Sequence, residues 1–355
     1  MTDNTINKAS SNPFVRVGRI IKKYGNEPEV LAYKAEQALH IKQHGFPSFP
    51  KFLHIEITNA CNLDCVMCPR HDMKRKVGFM PMELFKKIID QVPKGSKIAI
   101  SLNLFGESFL HPKLYEMIKY AKQSNVGEVH LNSNITIINE HKARAILESG
   151  IDVLALSFEG TNKKTYEYLR IGSNFERVEE NIKLILRIQK ELNAFNTRLN
   201  IQMTDMKETH EEIKQFVEKW KPYLAGNNGI LIKQYDTWAG QVEDRSVTHE
   251  TFARAPCPVL NENMTIYWNG DATICCRDCF GIQTLSNVND TPIKEIWAGE
   301  KYNKLREHNN KLEFNKIPLC APCDDWHKWP TEVIIKKDDL FEHKTVMVGM
   351  DGVVK

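Results

Sequence analysis

Three cysteines, Cys61, Cys65 and Cys68, lie within eight residues of one another. The apolar run 52–57 comes directly before them, so we expect them on the loop that leaves a β-strand. Thiolates from one tight loop can converge on a soft metal centre, and they are the usual ligands of iron–sulfur clusters. Three ligands leave one iron of a [4Fe–4S] cube without a protein ligand. The alternatives are unrelated core thiols or a zinc knuckle, although zinc prefers four ligands in a closed site.

The cysteine loop opens a long stretch in which strands and helices alternate six times. Apolar, β-rich runs predict the strands, and segments with apolar residues at helical spacing predict the helices. The predicted strands are 52–58, 98–104, 128–132, 153–158, 199–204 and 230–235. The predicted helices are 81–92, 112–123, 140–148, 163–169, 175–192 and 207–220.

This alternation predicts an α/β fold with a parallel sheet. Six units of this kind do not close like an eight-unit barrel, so we expect an open, partial barrel. In parallel α/β folds, ligands collect at the carboxyl ends of the strands. The three-cysteine loop follows the first strand and therefore belongs to that end.

The spacing of Cys61, Cys65 and Cys68 resembles the CxxxCxxC cluster motif of the radical S-adenosylmethionine (SAM) superfamily. Met67 stands where that family usually has a bulky apolar residue, and it is a candidate SAM contact. The resemblance implies a partial (β/α)6 barrel over residues 51–240. It also implies a [4Fe–4S] cluster whose open iron binds the amino and carboxylate groups of SAM.

Gly106 and Glu107 follow the second predicted strand and resemble the second half of the family's Gly-Gly-Glu motif, with Phe105 in place of the first glycine. The resemblance implies that they receive the methionyl amino group of SAM. Taken alone, Gly-Glu is also an ordinary turn sequence.

Later strand ends carry further residues that match the family's SAM contacts. Ser133 and Asn134 stand where relatives have a turn beside the ribose, although a polar turn that satisfies its own backbone is an equal alternative. Ser157 begins a turn similar to Ser-Leu-Asp-Gly, and Thr204 is a candidate adenine contact. Arg170 resembles the arginine that binds the SAM carboxylate, because a guanidinium fits a carboxylate bidentately. A solvated surface arginine is the alternative.

Beyond position 240 the composition changes, and the other six cysteines all fall between 257 and 323. Residues 241–330 resemble the SPASM/Twitch extension of radical SAM enzymes, which carries auxiliary [4Fe–4S] clusters. The resemblance implies a shortened version with one auxiliary cluster, and a four-cysteine zinc site is the alternative. The implied ligands are Cys257, Cys275, Cys320 and Cys323.

Cys276 and Cys279 are left over by these assignments. Two spare thiols can be small buried apolar residues. Alternatively, Cys276 faces the substrate cavity and donates a hydrogen atom to a substrate radical.

The resemblance implies that the reduced cluster cleaves SAM to methionine and a 5′-deoxyadenosyl radical, which takes a hydrogen from a substrate C–H bond. An auxiliary cluster suggests oxidation of a hydroxylated small molecule, such as a sugar or cyclitol, with that cluster as the electron acceptor. The alternatives are a radical epimerase or dehydratase that uses Cys276, and a peptide or protein maturase. A flavodoxin- or ferredoxin-type protein is the implied reductant.

Composition limits the partners and the location. The net charge of +3 argues against nucleic acid. The sequence offers no apolar run of the ~20 residues that a membrane span needs. Cysteines without an export signal predict a cytoplasmic protein. Residues 1–50 are expected to form a tail and a helical extension, and 331–355 a C-terminal tail.

Overall fold

Six parallel strands form the centre of the protein in a computed structural model that describes residues 25–247, 253–327, 330–337 and 340–347. Each strand in this group pairs in parallel with the next along the chain, as the near-continuous apolar runs predicted. They are β1 (Phe52–Ile55), β2 (Ala99–Ser101), β3 (Val129–Ser133), β4 (Val153–Ser157), β5 (Arg198–Asp205) and β6 (Gly229–Gln234).

One helix precedes β1, and the other helices follow the strands. The first seven are α1 (Pro28–His44), α2 (Met82–Ile89), α3 (Leu114–Lys122), α4 (Glu140–Glu148), α5 (Lys163–Leu169), α6 (Phe175–Glu191) and α7 (Ile213–Trp220). Three more helices lie in the cysteine-rich segment: α8 (Val259–Glu262), α9 (Ile293–Ala298) and α10 (Glu300–Asn310).

The cysteine-rich segment continues the same sheet. Its first strand, β7 (Asn263–Ile266), pairs in parallel with β1 on the side opposite β2. Two short antiparallel strands, β8 (Asp271–Thr273) and β9 (Thr284–Asn287), then extend that edge. At the other edge, β10 (Pro330–Lys337) pairs antiparallel with β6 and with β11 (Leu340–Met347). The order is therefore β11-β10-β6-β5-β4-β3-β2-β1-β7-β8-β9.

The predicted α/β partial barrel with a C-terminal cysteine-rich extension is confirmed, and the element boundaries differ by a few residues. The largest difference is at α7, which begins at Ile213 instead of residue 207. Thr209 explains this delay, because its hydroxyl accepts a hydrogen bond from the Met206 backbone and donates one to the Thr204 carbonyl. Such local side-chain bonds favour a turn over a helix, and a 3₁₀ turn at His210–Glu212 follows.

At the N-terminal end, α1 begins at Pro28, a residue suited to a first helical turn. Gly45, with a φ of 80°, caps its C-terminal end. The predicted tail 1–12 and the first part of the predicted helical extension lie outside the described residues. Within the described residues, none of the helices combines the length and apolar character of a membrane span.

A buried ion pair joins the loop after the cysteines to the cysteine-rich segment. The Arg75 guanidinium donates to both carboxylate oxygens of Glu56, at 2.8 and 2.7 Å, and its Nε donates to the Cys279 carbonyl at 2.7 Å. It also stacks 3.8 Å from the ring centroid of Tyr267. The Glu56 side chain is fully buried, so Arg75 is its necessary counter-charge.

We expect Arg75→Met to lower the free energy of unfolding by about 3–5 kcal/mol, because it leaves the Glu56 charge buried without a partner. Urea denaturation measures this loss. Lys74→Met, at an exposed neighbouring position, is the matched control and should change stability by less than about 0.5 kcal/mol. Adding Glu56→Gln to Arg75→Met should recover part of the loss, and no recovery would contradict the explanation.

Candidate active site

A cavity of 360 Å³ lies among the carboxyl ends of β1–β6 and the loops that follow them. Every residue that the sequence assigned to the first cluster, to SAM or to hydrogen donation lines this cavity. They are Cys61, Cys65, Cys68, Met67, Gly106, Glu107, Ser133, Asn134, Ser157, Arg170, Thr204 and Cys276.

Neighbouring strand ends hold the three-cysteine loop in place. After β3, the Asn134 side chain lies 3.9 Å from the Cys61 sulfur and donates to the Asn62 side chain at 3.1 Å. After α5, a guanidinium nitrogen of Arg170 lies 3.8 Å from the Cys65 sulfur. Hydrogen-bond donors beside the sulfurs are the contacts that tune iron–sulfur clusters.

Burial raises the pKa of all three thiols, and that of Cys68 reaches about 12. Without a metal, these thiols stay protonated at neutral pH, and a bound metal would take the place of their protons. The donor set fits an iron–sulfur cluster, because three sulfurs face one cavity beside cationic and amide donors.

Gly106 lets two loops approach each other closely. A Cβ at this position would overlap the Thr58 carbonyl oxygen and lie 2.8 Å from that of Ala60. The Glu107 backbone nitrogen donates to the same Ala60 carbonyl at 2.8 Å. The glycine is therefore required by contact with the cysteine loop, and its neighbour Glu107 is fixed beside that loop.

The buried Glu107 carboxylate keeps one acceptor site open. One oxygen accepts from the Phe109 backbone at 3.1 Å and from the Ser133 hydroxyl at 2.9 Å, and the other accepts from the Asn134 backbone at 2.8 Å. Two oxygens offer about four lone-pair sites, so about one remains for a ligand. Burial raises the pKa of Glu107, so a cationic ligand such as an amino group would favour its ionised form.

Arg170 lies in the cavity wall with its side chain only 14% exposed, so the alternative of a solvated surface arginine is wrong. Its guanidinium contacts the Glu159 carboxylate at 2.5 Å. Burial alone would lower the pKa of Arg170, but Glu159 and Cys65 raise it overall. The arginine therefore remains a fixed positive charge beside the cysteine loop.

The four cysteines that the sequence assigned to an auxiliary cluster gather in one region of the cysteine-rich segment. Burial raises the pKa of Cys320, and the neighbouring thiols of Cys275, Cys257 and Cys323 raise it further. The Asn309 side chain fixes this region, since it accepts from the Cys257 nitrogen at 2.9 Å and donates to the Cys257 carbonyl at 3.0 Å.

Within the described ranges, no group of three or more His, Cys, Asp or Glu side chains is placed to hold a single metal ion.

The two remaining cysteines occupy different environments. Cys279 is fully buried, as expected of a small apolar residue. Cys276 is half-buried and lines the cavity, and its thiol raises the pKa of the adjacent Cys275 thiol. Of these two adjacent cysteines, Cys276 is the one that lines the cavity, and Cys275 lies near Cys320.

Sequence reasoning placed a closing turn at residues 236–240, after β6, but missed the contacts that hold this turn against the cavity. Trp238 and Ala239 have φ angles of 54° and 61°, in the left-handed region that side chains rarely adopt. The Asp325 carboxylate clamps the turn by accepting from the Thr237 and Ala239 nitrogens at 2.8 and 2.6 Å. The Trp238 indole donates to the Met67 carbonyl at 3.0 Å and so joins the turn to the cysteine loop.

Sequence reasoning also missed the polar residues that point into the cavity from the strands. The only sequence pattern that could have identified them was a polar residue inside an otherwise apolar strand. Those residues include His54, Ser101, His130, Asn200, Gln202 and Lys233.

Two comparisons of sequence with family models agree with this geometry. Residues 55–219 match the Radical SAM superfamily, and residues 257–324 match the SPASM iron–sulfur cluster-binding domain. The first match contains the three-cysteine loop and the second contains the other six cysteines.

Known proteins with similar sequences and structures point the same way. The chain is similar to the tungsten-containing aldehyde ferredoxin oxidoreductase cofactor-modifying protein of Pyrococcus furiosus. The two sequences are 22% identical over 324 residues, and the match covers 77% of this chain and 87% of that protein. Its fold is similar to that of BtrN in complex with AdoMet and 2-DOIA, with a TM-score of 0.56, 15% identity, and coverage of 77% and 92%. It is also similar to Streptococcus suis SuiB bound to the precursor peptide SuiA, with a TM-score of 0.63, 16% identity, and coverage of 86% and 74%.

We expect Gly106→Ala to displace the three-cysteine loop, because the new methyl group overlaps the Thr58 carbonyl. After anaerobic reconstitution, iron content should fall by about four atoms per chain, one cube, as measured by colorimetric iron analysis. Gly45→Ala is the control, since a Cβ there meets nothing within 4 Å and only the left-handed backbone is strained. Full iron content in Gly106→Ala would contradict this role of the glycine.

Proposed function

Because the chain belongs to the radical SAM superfamily and carries a C-terminal SPASM domain, we propose that it oxidises a hydroxylated small molecule, such as a sugar or cyclitol, to a carbonyl compound. The observation that carries this proposal is the shared cavity. The loop of Cys61, Cys65 and Cys68 forms one part of its wall, and Cys276 and Arg277, which follow Cys275 directly, form another. A substrate between them would contact both cysteine regions.

We propose that Cys61, Cys65 and Cys68 hold the SAM-binding [4Fe–4S] cluster, and that four further cysteines hold the auxiliary one: Cys257, Cys275, Cys320 and Cys323. When bound, these groups and SAM supply the 5′-deoxyadenosyl radical that takes a substrate hydrogen and an acceptor for the electron that the substrate then loses. A flavodoxin- or ferredoxin-type protein of the cytoplasm would provide the reducing electron.

The chain's own residues bind and orient the reactants. The open acceptor site of Glu107, backed by Gly106, suits the methionyl amino group of SAM. Ser133 and Asn134 hold Glu107 in place, so their polar turn serves the site as well as its own backbone. Arg170 sets a positive charge near the SAM carboxylate, and its contact with Glu159 fixes its direction.

Aromatic and polar side chains form the rest of the cavity wall. Phe105, at the position of the family's first glycine, is buried and packs 5.3 Å from the Trp238 ring. Ser157 accepts a hydrogen bond from the Gln202 side chain at 2.8 Å, which leaves its hydroxyl free to donate to a ligand. Thr204 and Met67 complete the side of the cavity that we assign to the adenosyl group.

Epimerisation is the second candidate function, and the cavity-facing position of Cys276 favours it. A thiol there could return a hydrogen atom to the opposite face of the substrate carbon. In oxidation, by contrast, the substrate loses a hydrogen atom, a proton and an electron, and no hydrogen returns from the protein.

Iron analysis tests the ligand assignment. Reconstituted protein should contain about eight irons, and the Cys61, Cys65 and Cys68 triple Ala variant about four, because each [4Fe–4S] cube needs its own thiolates. Cys275→Ser should lose about four irons, whereas the matched neighbour Cys276→Ser should retain about eight. An intact protein with about four irons and bound zinc would contradict the auxiliary cluster.

Product analysis separates the two candidate functions. The reduced holoenzyme should convert SAM to 5′-deoxyadenosine and release a product lighter than its substrate by two hydrogens, and Cys276→Ala should retain most of that turnover. Mass spectrometry of reactions in deuterium oxide measures both the 5′-deoxyadenosine and the mass of the product. Solvent deuterium at an inverted carbon, lost in Cys276→Ala, would instead establish epimerisation, because a thiol exchanges its hydrogen with water.

A further inference from the structure

Most charged side chains that line the cavity are already paired. Glu159 contacts Arg170 at 2.5 Å, and Asp236 contacts Arg277 at 2.5 Å. Glu107 accepts hydrogen bonds from three donors. These contacts fix the side chains and offset much of the cost of placing their charges in the protein interior.

Lys233 differs from these residues because its charge is not paired with a described residue. It lies on β6, is half-buried and lines the cavity. Among the described residues, none lies within hydrogen-bond or ion-pair distance of its ammonium group. The charged or titratable groups that act on its pKa are Asp236, Arg277, Cys276 and Glu159.

The environment of Lys233 disfavours an isolated positive charge. Burial lowers the pKa of Lys233, and Arg277 lowers it further, whereas the carboxylates of Asp236 and Glu159 raise it. Each carboxylate is paired with an arginine at 2.5 Å, so neither serves the lysine alone. A charge in this position is favourable only when the molecule that fills the cavity brings a counter-charge.

We propose that Lys233 binds an anionic group of the substrate, a carboxylate or a phosphate. The inference rests on the proposed function, since it specifies the substrate of the same cavity as a hydroxylated small molecule that also carries an acidic group. Lys233 is the neighbour of Thr204 in the β5–β6 register, so the substrate would lie beside the adenosyl side of the SAM site. Cys276 and Arg277 line the same cavity and interact electrostatically with Lys233.

Binding without turnover tests the proposal. Holoenzyme with both clusters and SAM, without reductant, is titrated calorimetrically at constant ionic strength with two matched pairs of probes. Gluconate and glucitol differ in a carboxylate, and glucose 6-phosphate and glucose differ in a phosphate. We expect the anionic member of at least one pair to bind about tenfold or more tightly than its neutral partner, the scale of a hydrogen bond to a charged group. The pair that shows the preference identifies the anion.

Two variants test whether Lys233 causes the preference for the anionic probe. Lys233→Met should abolish it, whereas Lys190→Met, at an exposed position on α6, should retain it. The Tm of Lys233→Met should not fall, because the removed ammonium group has no partner among the described residues, and a fall would instead indicate a structural role. SAM affinity should stay unchanged in Lys233→Met.

Three results would overturn the proposal: equal binding within both pairs, a preference that survives in Lys233→Met, or a loss of SAM affinity in that variant. The last would mean that Lys233 pairs with the SAM carboxylate. Formation of 5′-deoxyadenosine on reduction tests the proposed function separately, so a failure of one can be distinguished from a failure of the other.

Discussion

The position of β1 is the constraint on which both cysteine regions depend. It is hydrogen-bonded on both sides, with Leu53 in register with Ile100 of β2 and with Met264 of β7. The three-cysteine loop leaves its carboxyl end, and the cysteine-rich segment enters the sheet along its other edge. A parallel strand pair has a fixed register wherever its faces are buried, and Leu53 is fully buried. The two cysteine regions are therefore held relative to each other by backbone hydrogen bonds, and the Arg75–Glu56 pair reinforces this arrangement.

Pairing of opposite charges determines which side chains of the cavity wall are fixed and which remain for a ligand. Charges in a low-dielectric interior are tolerated when they are paired, and the pairs Glu159–Arg170 and Asp236–Arg277 follow this rule. These pairs stiffen the wall, because each side chain is fixed by a partner from a different loop or strand. A rigid wall orients reactants at little entropic cost at the moment of reaction. Lys233 departs from the rule, which is why it carries information about the substrate.

Packing accommodates two unusual residues beside the cavity: Phe105, which stands in place of a family glycine, and Ile135, which has a positive φ angle. Phe105 fills the space beside Trp238 and lies 5.9 Å from the Arg75 guanidinium, so its bulk becomes part of the wall between two loops. Ile135 has a φ of 60°, a conformation that is costly for a β-branched residue. Its backbone nitrogen donates to the Ser133 hydroxyl at 3.0 Å, Asn181 donates to its carbonyl at 2.8 Å, and its side chain is fully buried. These contacts offset the strain and keep the polar turn beside Glu107.

Local features were determined by the sequence alone. The six strand–helix units follow from apolar periodicity, and the spacing of Cys61, Cys65 and Cys68 places three thiols on one loop whatever the rest of the chain does. Only the tertiary structure decided which distant groups meet: that Arg170 contacts Glu159, that Asp325 clamps the turn at Trp238, and that Cys276 and Lys233 face one cavity. The side chain of a strand residue can face either side of the sheet, and its partners come from strands many residues away. That choice depends on register and packing across the whole sheet, which no local pattern contains.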